Sequence, residues 1–189
     1  LILPEELADF EAQSSARGQS VVTLIKDGAF GLSDQIGSLT IESGGVVTHS
    51  ARLEAGLVLD VTGTLDVQSG GSIDVSGMGL RGGNDGSAFG GDGEAYDDGG
   101  IIVAAGNYND SAGAGASYGG RGGSASTGGA ANEAYGAVEG AWYLGAGGGG
   151  CYYGHVGGHG GGRVTIIAMT ANALESARTQ IAGILRMVL

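Results

Sequence analysis

The sequence predicts an all-β protein: a right-handed parallel β-helix, in which each short strand stacks on the equivalent strand one coil away. Two observations predict it. Short β-branched segments recur between glycines at intervals of roughly eight residues in the first part of the chain. A long glycine-rich tract then separates them from a further strand signal at Arg163–Ala168. We therefore expect rungs at 19–76, an insertion at 77–162, and rungs resumed at 163–189.

The first 18 residues form a separate segment that we expect to be a short helix. Pro4 suits a first helical turn, and the acids Glu5 and Glu6 behind it favour a helix start. Leu7 and Phe10 would share one face. Because an isolated helix of this length is marginal in water, it needs a surface on which to dock.

The expected rungs begin where the hydrophobic period changes to two. Alternation places Leu65, Val67, Ile73 and Val75 on one face and the intervening aspartates on the other. Two-residue hairpin signals such as Asn-Gly are lacking between the segments, which disfavours antiparallel meanders. The predicted strand segments before the tract are Val21–Ile25, Ser38–Ile41, Val46–Thr48, Leu57–Val61, Thr64–Val67 and Ser72–Val75.

The glycine tract 77–162 holds 32 of the 43 glycines, and this composition is typical of a flexible linker. An ordered alternative is favoured by its aromatic residues and by glycines at three-residue spacing, as at Gly154, Gly157 and Gly160. A polyproline-II chain has three residues per turn, so such glycines would line one edge and let backbones approach closely. We expect Gly113–Gly162 to be ordered, with little helix or conventional strand, and to pack beside the β-helix as polyproline-II-like or irregular runs whose N–H groups bind carbonyls on neighbouring runs.

Charge and composition exclude several classes of protein. The net charge is −12 with only 8 basic residues, so the chain is a poor partner for nucleic acid, which needs Lys and Arg to neutralise phosphate. No apolar run is long enough to span a bilayer, so membrane insertion is not expected. Acidity suits an extracellular or cell-surface protein. Cys151 is the single cysteine, and a start at Leu1 suggests a piece of a longer precursor.

The order of motifs resembles the glycine-rich β-helix modules of very large secreted and cell-surface proteins. The matching residues are Thr64 to Gly77, Gly145 to Gly150 and Gly160 to Ala168, with the tract between them. Members of that group look like adhesins, matrix proteins or filament components. The resemblance therefore implies a structural or adhesive role and no catalysis.

Cys151, His155 and His159 form the most metal-like spacing, because thiolate and imidazole ligands suit zinc. In a strand these side chains would share a face but lie about 13 Å apart, and in a polyproline-II chain they would point three ways. The alternative is that these side chains merely cover a glycine lattice.

An acidic cluster within a glycine-rich loop offers oxygen ligands of the kind that calcium prefers. It departs from the calcium-binding nonapeptide repeat, since Ala95 stands where a ligand aspartate belongs. A solvated acidic loop is the alternative, so no cofactor is assigned beyond this calcium hypothesis. The cluster consists of Asp85, Asp92, Glu94, Asp97 and Asp98.

The sequence does not favour an enzyme. A row of carboxylates at Asp60, Asp66 and Asp74 resembles the acids of β-helical polysaccharide lyases, but only His49 and Arg52 are near enough in sequence to assist them. No nucleophile triad or phosphate-binding loop is present, and G-x-G matches carry no information at this glycine content.

The expected function is that of a structural subunit of an extracellular fibre or surface appendage, which stacks on copies of itself through β-helix edges. The alternative is an adhesin that presents the aromatic tract to cell-surface or matrix glycans, since Tyr and Trp offer flat faces to sugars. The contact residues would be Trp142, Tyr143, Tyr152 and Tyr153. Asn109 also begins an N-glycosylation sequon.

Overall fold

The computed structural model describes residues 22–25, 36–109, 112–125, 129–137, 140, 142–173 and 185–187. The helical segment expected at 1–18 lies outside the described residues. The only helix within them is a single 3₁₀ turn, Tyr152–Gly154. No helix found in the described part of the chain is long and apolar enough to cross a membrane.

The first sheet has three parallel strands in the order β1-β3-β5. They are β1 (Val22–Ile25), β3 (Gly45–Thr48) and β5 (Ser72–Ile73). Val47 pairs with Leu24 on one side and with Ile73 on the other, so β3 is the central strand.

The second sheet has four parallel strands in the order β2-β4-β8-β9. Its longest strand, β4 (Leu57–Val67), covers two segments that were predicted as separate strands, Leu57–Val61 and Thr64–Val67. The pairing register of β4 changes between Val61 and Thr64. This strand pairs along its length with β8, which lies beyond the glycine tract. The strands are β2 (Leu39–Ile41), β4 (Leu57–Val67), β8 (Val164–Ala173) and β9 (Leu185–Met187).

The two parallel sheets share one apolar core. Leu65, Val67, Ile73 and Val75 are all buried in it, which confirms the face that the alternation predicts. Leu57, Leu59 and Val61 continue the same face along β4. Val164 and Ile166 of the neighbouring strand β8 extend that face across the sheet. Burial of these side chains is the main favourable term for this half of the molecule.

The glycine tract contains an antiparallel pair that the sequence analysis missed. Strand β6 (Glu94–Tyr96) pairs with β7 (Ile102–Ala104) across a short turn. The pair belongs to a second core, separate from the first, that contains the tyrosines Tyr96 and Tyr135. The other buried members of this core are Leu80, Ala95, Ala105 and Leu144.

The prediction of a right-handed parallel β-helix with a polyproline-II-like insertion is wrong. The described strands form two small parallel sheets and one antiparallel pair, and no sheet among them closes or winds into a solenoid. The physical reason is that 77–162 builds a second core and an antiparallel pair of its own, and the parallel strands on either side of it form two separate open sheets. Short β-branched segments alone do not distinguish rungs of a solenoid from neighbouring strands of small sheets.

The centre of the glycine tract is the run Gly145–Gly150, which donates backbone hydrogen bonds to several other runs. Gly145 and Gly148 donate to Gly161 and Gly158 at 2.9 Å. Gly147 and Gly150 donate to Glu94 and Gly91, and Gly149 donates to Ala114. Residues three positions apart in this run therefore donate to the same partner run, and the central run is hydrogen-bonded on three sides. We call this arrangement of backbone-bonded runs the glycine layer.

Close approach in the glycine layer leaves no room for side chains. A Cβ atom at Gly157 would overlap the carbonyl oxygen of Gly148, and one at Gly160 would overlap that of Gly145. Gly83, Gly93 and Gly113 meet neighbouring backbones in the same way. The expectation that glycine spacing lets backbones approach and hydrogen-bond is thus confirmed, although the β-helix predicted around them is not present in the described residues. Only glycine fits at these contacts.

The two ends of the glycine tract lie together, as an intact scaffold around it requires. Gly162 donates a backbone hydrogen bond to Val75 at 2.7 Å, and Gly79 donates to Gly160 at the same distance. The tract thus begins and ends beside the first core, and the glycine layer is attached to the parallel sheets.

Gly157→Ala should destabilise the protein by about 2 kcal/mol or more, because the new methyl group collides with the rigid backbone at Gly148. Thermal unfolding followed by circular dichroism measures the loss. Gly158→Ala is the matched control, since a Cβ at this exposed neighbour meets nothing within 4 Å. Equal melting temperatures for the two variants would contradict the close packing.

Candidate functional site

Glu94 is the most completely buried charged residue of the described chain, with 0% of its surface exposed. Its Oε2 accepts hydrogen bonds from Arg52 Nε at 2.9 Å and from the Arg81 N–H at 3.1 Å. Its Oε1 accepts the Ala88 N–H at 3.0 Å. A buried carboxylate is tolerated only when it is paired and hydrogen-bonded in this way. Glu94 therefore ties the loop 81–88 to the segment that follows β3.

The acidic residues proposed as calcium ligands are separated by the fold. Asp85 Oδ2 pairs with His159 Nε2 at 3.0 Å, and Asp92 Oδ1 accepts the Tyr108 N–H. Asp97 Oδ1 accepts the Gly99 and Ile101 N–H groups and closes the β6–β7 turn, and Asp98 is exposed. Four of the five carboxylates thus satisfy local donors or a histidine, and only Glu94 among them is deeply buried.

The residues proposed as zinc ligands are also dispersed. Cys151 and His155 are joined by their backbones, the Cys151 N–H donating to the His155 carbonyl at 3.0 Å. The Asn84 amide donates to both of their carbonyl oxygens, whereas His159 pairs with Asp85. Across the residues that the structure describes, no group of three or more His, Cys, Asp or Glu side chains is placed to hold a metal ion.

The carboxylate row and its two basic neighbours serve separate contacts. His49 is buried, and its Nδ1 lies 2.8 Å from the Ser50 carbonyl while its Nε2 accepts the Arg163 N–H at 3.3 Å. This assigns the proton to Nδ1. Arg52 pairs with Glu94. Asp74 Oδ1 accepts the Ser76 N–H, as in an Asx turn.

Four tyrosines form a contiguous cluster on the antiparallel pair. Tyr135 packs edge-on against Tyr96 and Tyr118, with ring centroids 5.7 Å and 5.2 Å apart. Tyr143 contacts both Tyr96, at 5.3 Å, and Tyr135, at 6.1 Å. Edge-to-face arrangements of this kind are the favourable ones for aromatic rings. The buried Tyr135 hydroxyl donates to the Leu144 carbonyl at 2.7 Å, which anchors the cluster to the glycine layer.

The four residues expected to contact glycans fall into two places. Trp142 and Tyr143 are adjacent and 52% and 39% exposed, and Tyr143 is the outer member of the tyrosine cluster. Tyr152 is also 52% exposed but lies in the 3₁₀ turn with Tyr153.

Asn109, the first residue of the sequon, is half-buried and forms a parallel bridge with Cys151. Its N–H donates to the Gly150 carbonyl at 3.4 Å, beside the central run. The next two residues of the sequon lie outside the described residues.

The feature that sequence reasoning missed is the group of polar residues around Tyr96. The Glu54 carboxylate and the Arg52 guanidinium both lie close enough to Tyr96 to affect the pKa of its phenol. No sequence signal links Arg52 to Glu94, which is 42 residues away. The three residues of β6, Glu94–Tyr96, are all buried, which marks this segment as unusual. That pattern becomes visible only once the strand itself is known.

No protein-family model, curated protein or solved structure matches this chain.

Glu94→Gln should destabilise the fold by about 2–4 kcal/mol, since the amide N–H₂ would face donors at Arg52, Arg81 or Ala88. Chemical denaturation measures the change. Glu133→Gln is the matched control, because Glu133 is 93% exposed and lies 3.9 Å from Arg121. We expect no measurable change there. Similar losses at the two positions would show that burial of Glu94 is not what matters.

The tyrosine cluster should make the fold sensitive to alkali. Burial, with the Glu54 carboxylate as the next cause, raises the pKa of Tyr96 to about 12. Burial also raises the pKa of Tyr135. Because the folded pKa exceeds the unfolded value of about 10, this stability is fully present below about pH 10 and is lost as pH rises towards 12. For Tyr96 the loss is on the order of 2–3 kcal/mol.

Thermal unfolding from about pH 8 to about pH 12, with tyrosinate absorbance, measures this loss. Tyr135→Phe should flatten the alkaline part of the curve while lowering stability at neutral pH, since its hydrogen bond to Leu144 is gone. Tyr152→Phe, at an exposed tyrosine, should leave the profile unchanged. A wild-type melting temperature that stays constant up to pH 12 would contradict the expectation.

Proposed function

We propose that this chain is a structural subunit of an extracellular fibre or surface appendage, whose copies add to one another through the edges of its parallel sheets. The observation that carries the proposal is the glycine layer. Its runs are held by backbone hydrogen bonds at contacts where no side chain fits. Such a layer is suited to mechanical support, because its order depends on the backbone itself.

The polar residues around the layer support this role, since they connect elements of the fold. Glu94 accepts from three donors in two segments, and Asp92 accepts the backbone N–H of Tyr108. Asn84 bonds two carbonyls of the segment 151–155. Each of these side chains holds a glycine-rich loop in place.

The open edges of the sheets supply the proposed contact between copies. In the described part of the chain, β2 pairs only with β4, and β5 pairs only with β3. Unpaired edge strands are templates for a further strand. Because the strands within each sheet are parallel, the two edges of a sheet differ, and one copy can add its first edge to the last edge of another. Such head-to-tail contacts generate open filaments.

Composition supports an extracellular location and a homopolymer over a nucleic-acid complex. The net charge of −12 keeps single copies soluble and repels phosphate. Assembly through backbone edges does not require opposite charges on the two partners, so it is compatible with this acidity at physiological salt.

Thr40→Pro should block assembly at the β2 edge. The Ile41 carbonyl accepts the Gln68 N–H at 2.9 Å, so Ile41 faces β4 and the backbone of Thr40 points to the open side. Proline at Thr40 removes the outward N–H and is tolerated at an edge. Sedimentation velocity and electron microscopy should show an association constant at least about tenfold lower than that of the wild type.

Thr40→Val is the matched control, because it keeps the N–H and a β-branched side chain at this exposed position. It should assemble like the wild type. Wild-type protein that stays monomeric at high concentration, or a Thr40→Pro variant that forms normal fibres, would overturn edge-to-edge assembly through β2.

A further inference from the structure

Tyr143 presents a fixed aromatic face to solvent. Its ring is 39% exposed on one side and packs against Tyr96 and Tyr135 on the other. Gly100, in the β6–β7 turn, lies beneath the ring, since a Cβ there would be 3.8 Å from Tyr143 Cε1. A ring that is held in place before a ligand arrives loses little conformational entropy on binding.

Trp142 extends this surface. It is 52% exposed, and its carbonyl accepts a hydrogen bond from Arg163 Nη1 at 3.2 Å, which fixes the backbone beside Tyr143. Trp142 and Tyr143 are consecutive, large and exposed, and the backbone of the first and the ring of the second are held in place. Such an aromatic pair is unusual on a protein surface and indicates a contact site.

Hydrogen-bonding groups lie beside the aromatic face. Glu54 is exposed, and its carboxylate lies close enough to Tyr96 to affect the pKa of that phenol. The ring of Tyr96 also contacts Tyr143, so Glu54 and Tyr143 are both neighbours of Tyr96. The Arg52 side chain is 34% exposed, and within the described residues its terminal nitrogens form no hydrogen bond, since only Nε binds Glu94. Acceptors and donors are therefore both available.

The local charge selects the class of ligand. The positive charge of Arg52 is balanced by Glu94 at 2.9 Å. Arg163 beside Trp142 adds one positive charge and Glu54 adds one negative charge, so the site has no excess of positive charge. The whole chain is also acidic, at −12. An anionic ligand is repelled by this arrangement, whereas a neutral ligand with many hydroxyl groups is not.

We propose that Trp142, Tyr143, Glu54 and Arg52 form a binding site for a neutral polysaccharide. A pyranose ring lies on the exposed face of Tyr143, with its axial C–H groups against the aromatic ring. Hydroxyl groups of the same or the next sugar donate to Glu54 and accept from Arg52. Trp142 contacts a neighbouring sugar. This inference goes beyond the proposed structural function, and the site operates equally in a monomer and in a fibre.

The experiment is affinity electrophoresis of the full chain in gels that contain laminarin, xyloglucan, mannan or alginate. We expect at least one of the three neutral polysaccharides to retard the wild type and the anionic alginate not to do so. Tyr143→Ala should weaken the retarding interaction at least about tenfold, and Trp142→Ala and Glu54→Gln should each weaken it severalfold. Tyr143→Phe retains the ring and should bind within about twofold of the wild type.

Tyr152→Ala is the matched control, since Tyr152 is as exposed as Trp142 but lies outside the cluster. If Tyr143→Ala fails to fold, Trp142→Ala and Glu54→Gln decide the matter, because both residues are exposed. Wild-type protein that binds no neutral polysaccharide, binding that is stronger to alginate, or an equal loss in Tyr152→Ala would each overturn the site. Fibre assembly is scored separately with Thr40→Pro, so failure of one proposal is distinguishable from failure of the other.

Discussion

The rest of the structure depends on backbone hydrogen bonds made by a run of five glycines and one alanine, Ala146. Gly145–Gly150 donates to Gly161, Glu94, Gly158, Ala114 and Gly91 in turn. Fixing glycine backbone is costly in entropy, so this run would not be ordered in isolation. It is ordered because partners surround it on several sides, and those partners are held in turn by Glu94, Asn84 and the tyrosine cluster. In this layer, backbone hydrogen bonds supply the order that the packing of large side chains supplies in other folds.

The layer and the candidate sugar site are built from the same elements. Glu94 lies in β6, where its backbone carbonyl accepts Gly147 and its carboxylate accepts Arg52. Two residues later, Tyr96 supports the exposed ring of Tyr143 and lies near the Glu54 carboxylate. A single three-residue strand thus connects the backbone layer, a buried ion pair and a solvent-facing aromatic surface. Rigidity in the layer is what holds the aromatic face in position.

The local structure of the parallel strands could be predicted from the sequence, but the β6–β7 pair and the arrangement of the sheets could not. Alternation at Leu65, Val67, Ile73 and Val75 identifies the buried face because it is a local property of each strand. The β-helix prediction failed because the sequence does not state which strand a segment pairs with: β4 pairs with β8, which begins 97 positions after Val67, at Val164. Of the proposed sugar site, the sequence analysis names only the aromatic half, Trp142 and Tyr143. It does not assign the polar half, Arg52 and Glu54, to that site, because only the fold brings these residues to Tyr96.

The pairing of β4 with β8 also determines the order of events during synthesis. The β4 strand, Leu57–Val67, is made early, yet its second edge is covered only when Val164–Ala173 emerges. The carbonyl groups of Glu94 and Gly91 likewise gain their donors only when Gly147 and Gly150 have been made. Contacts of such large sequence separation slow folding and leave apolar strand edges open in the nascent chain. The stretch between these two strands contains few large apolar residues. It therefore offers little apolar surface for aggregation during the interval in which the edges are open.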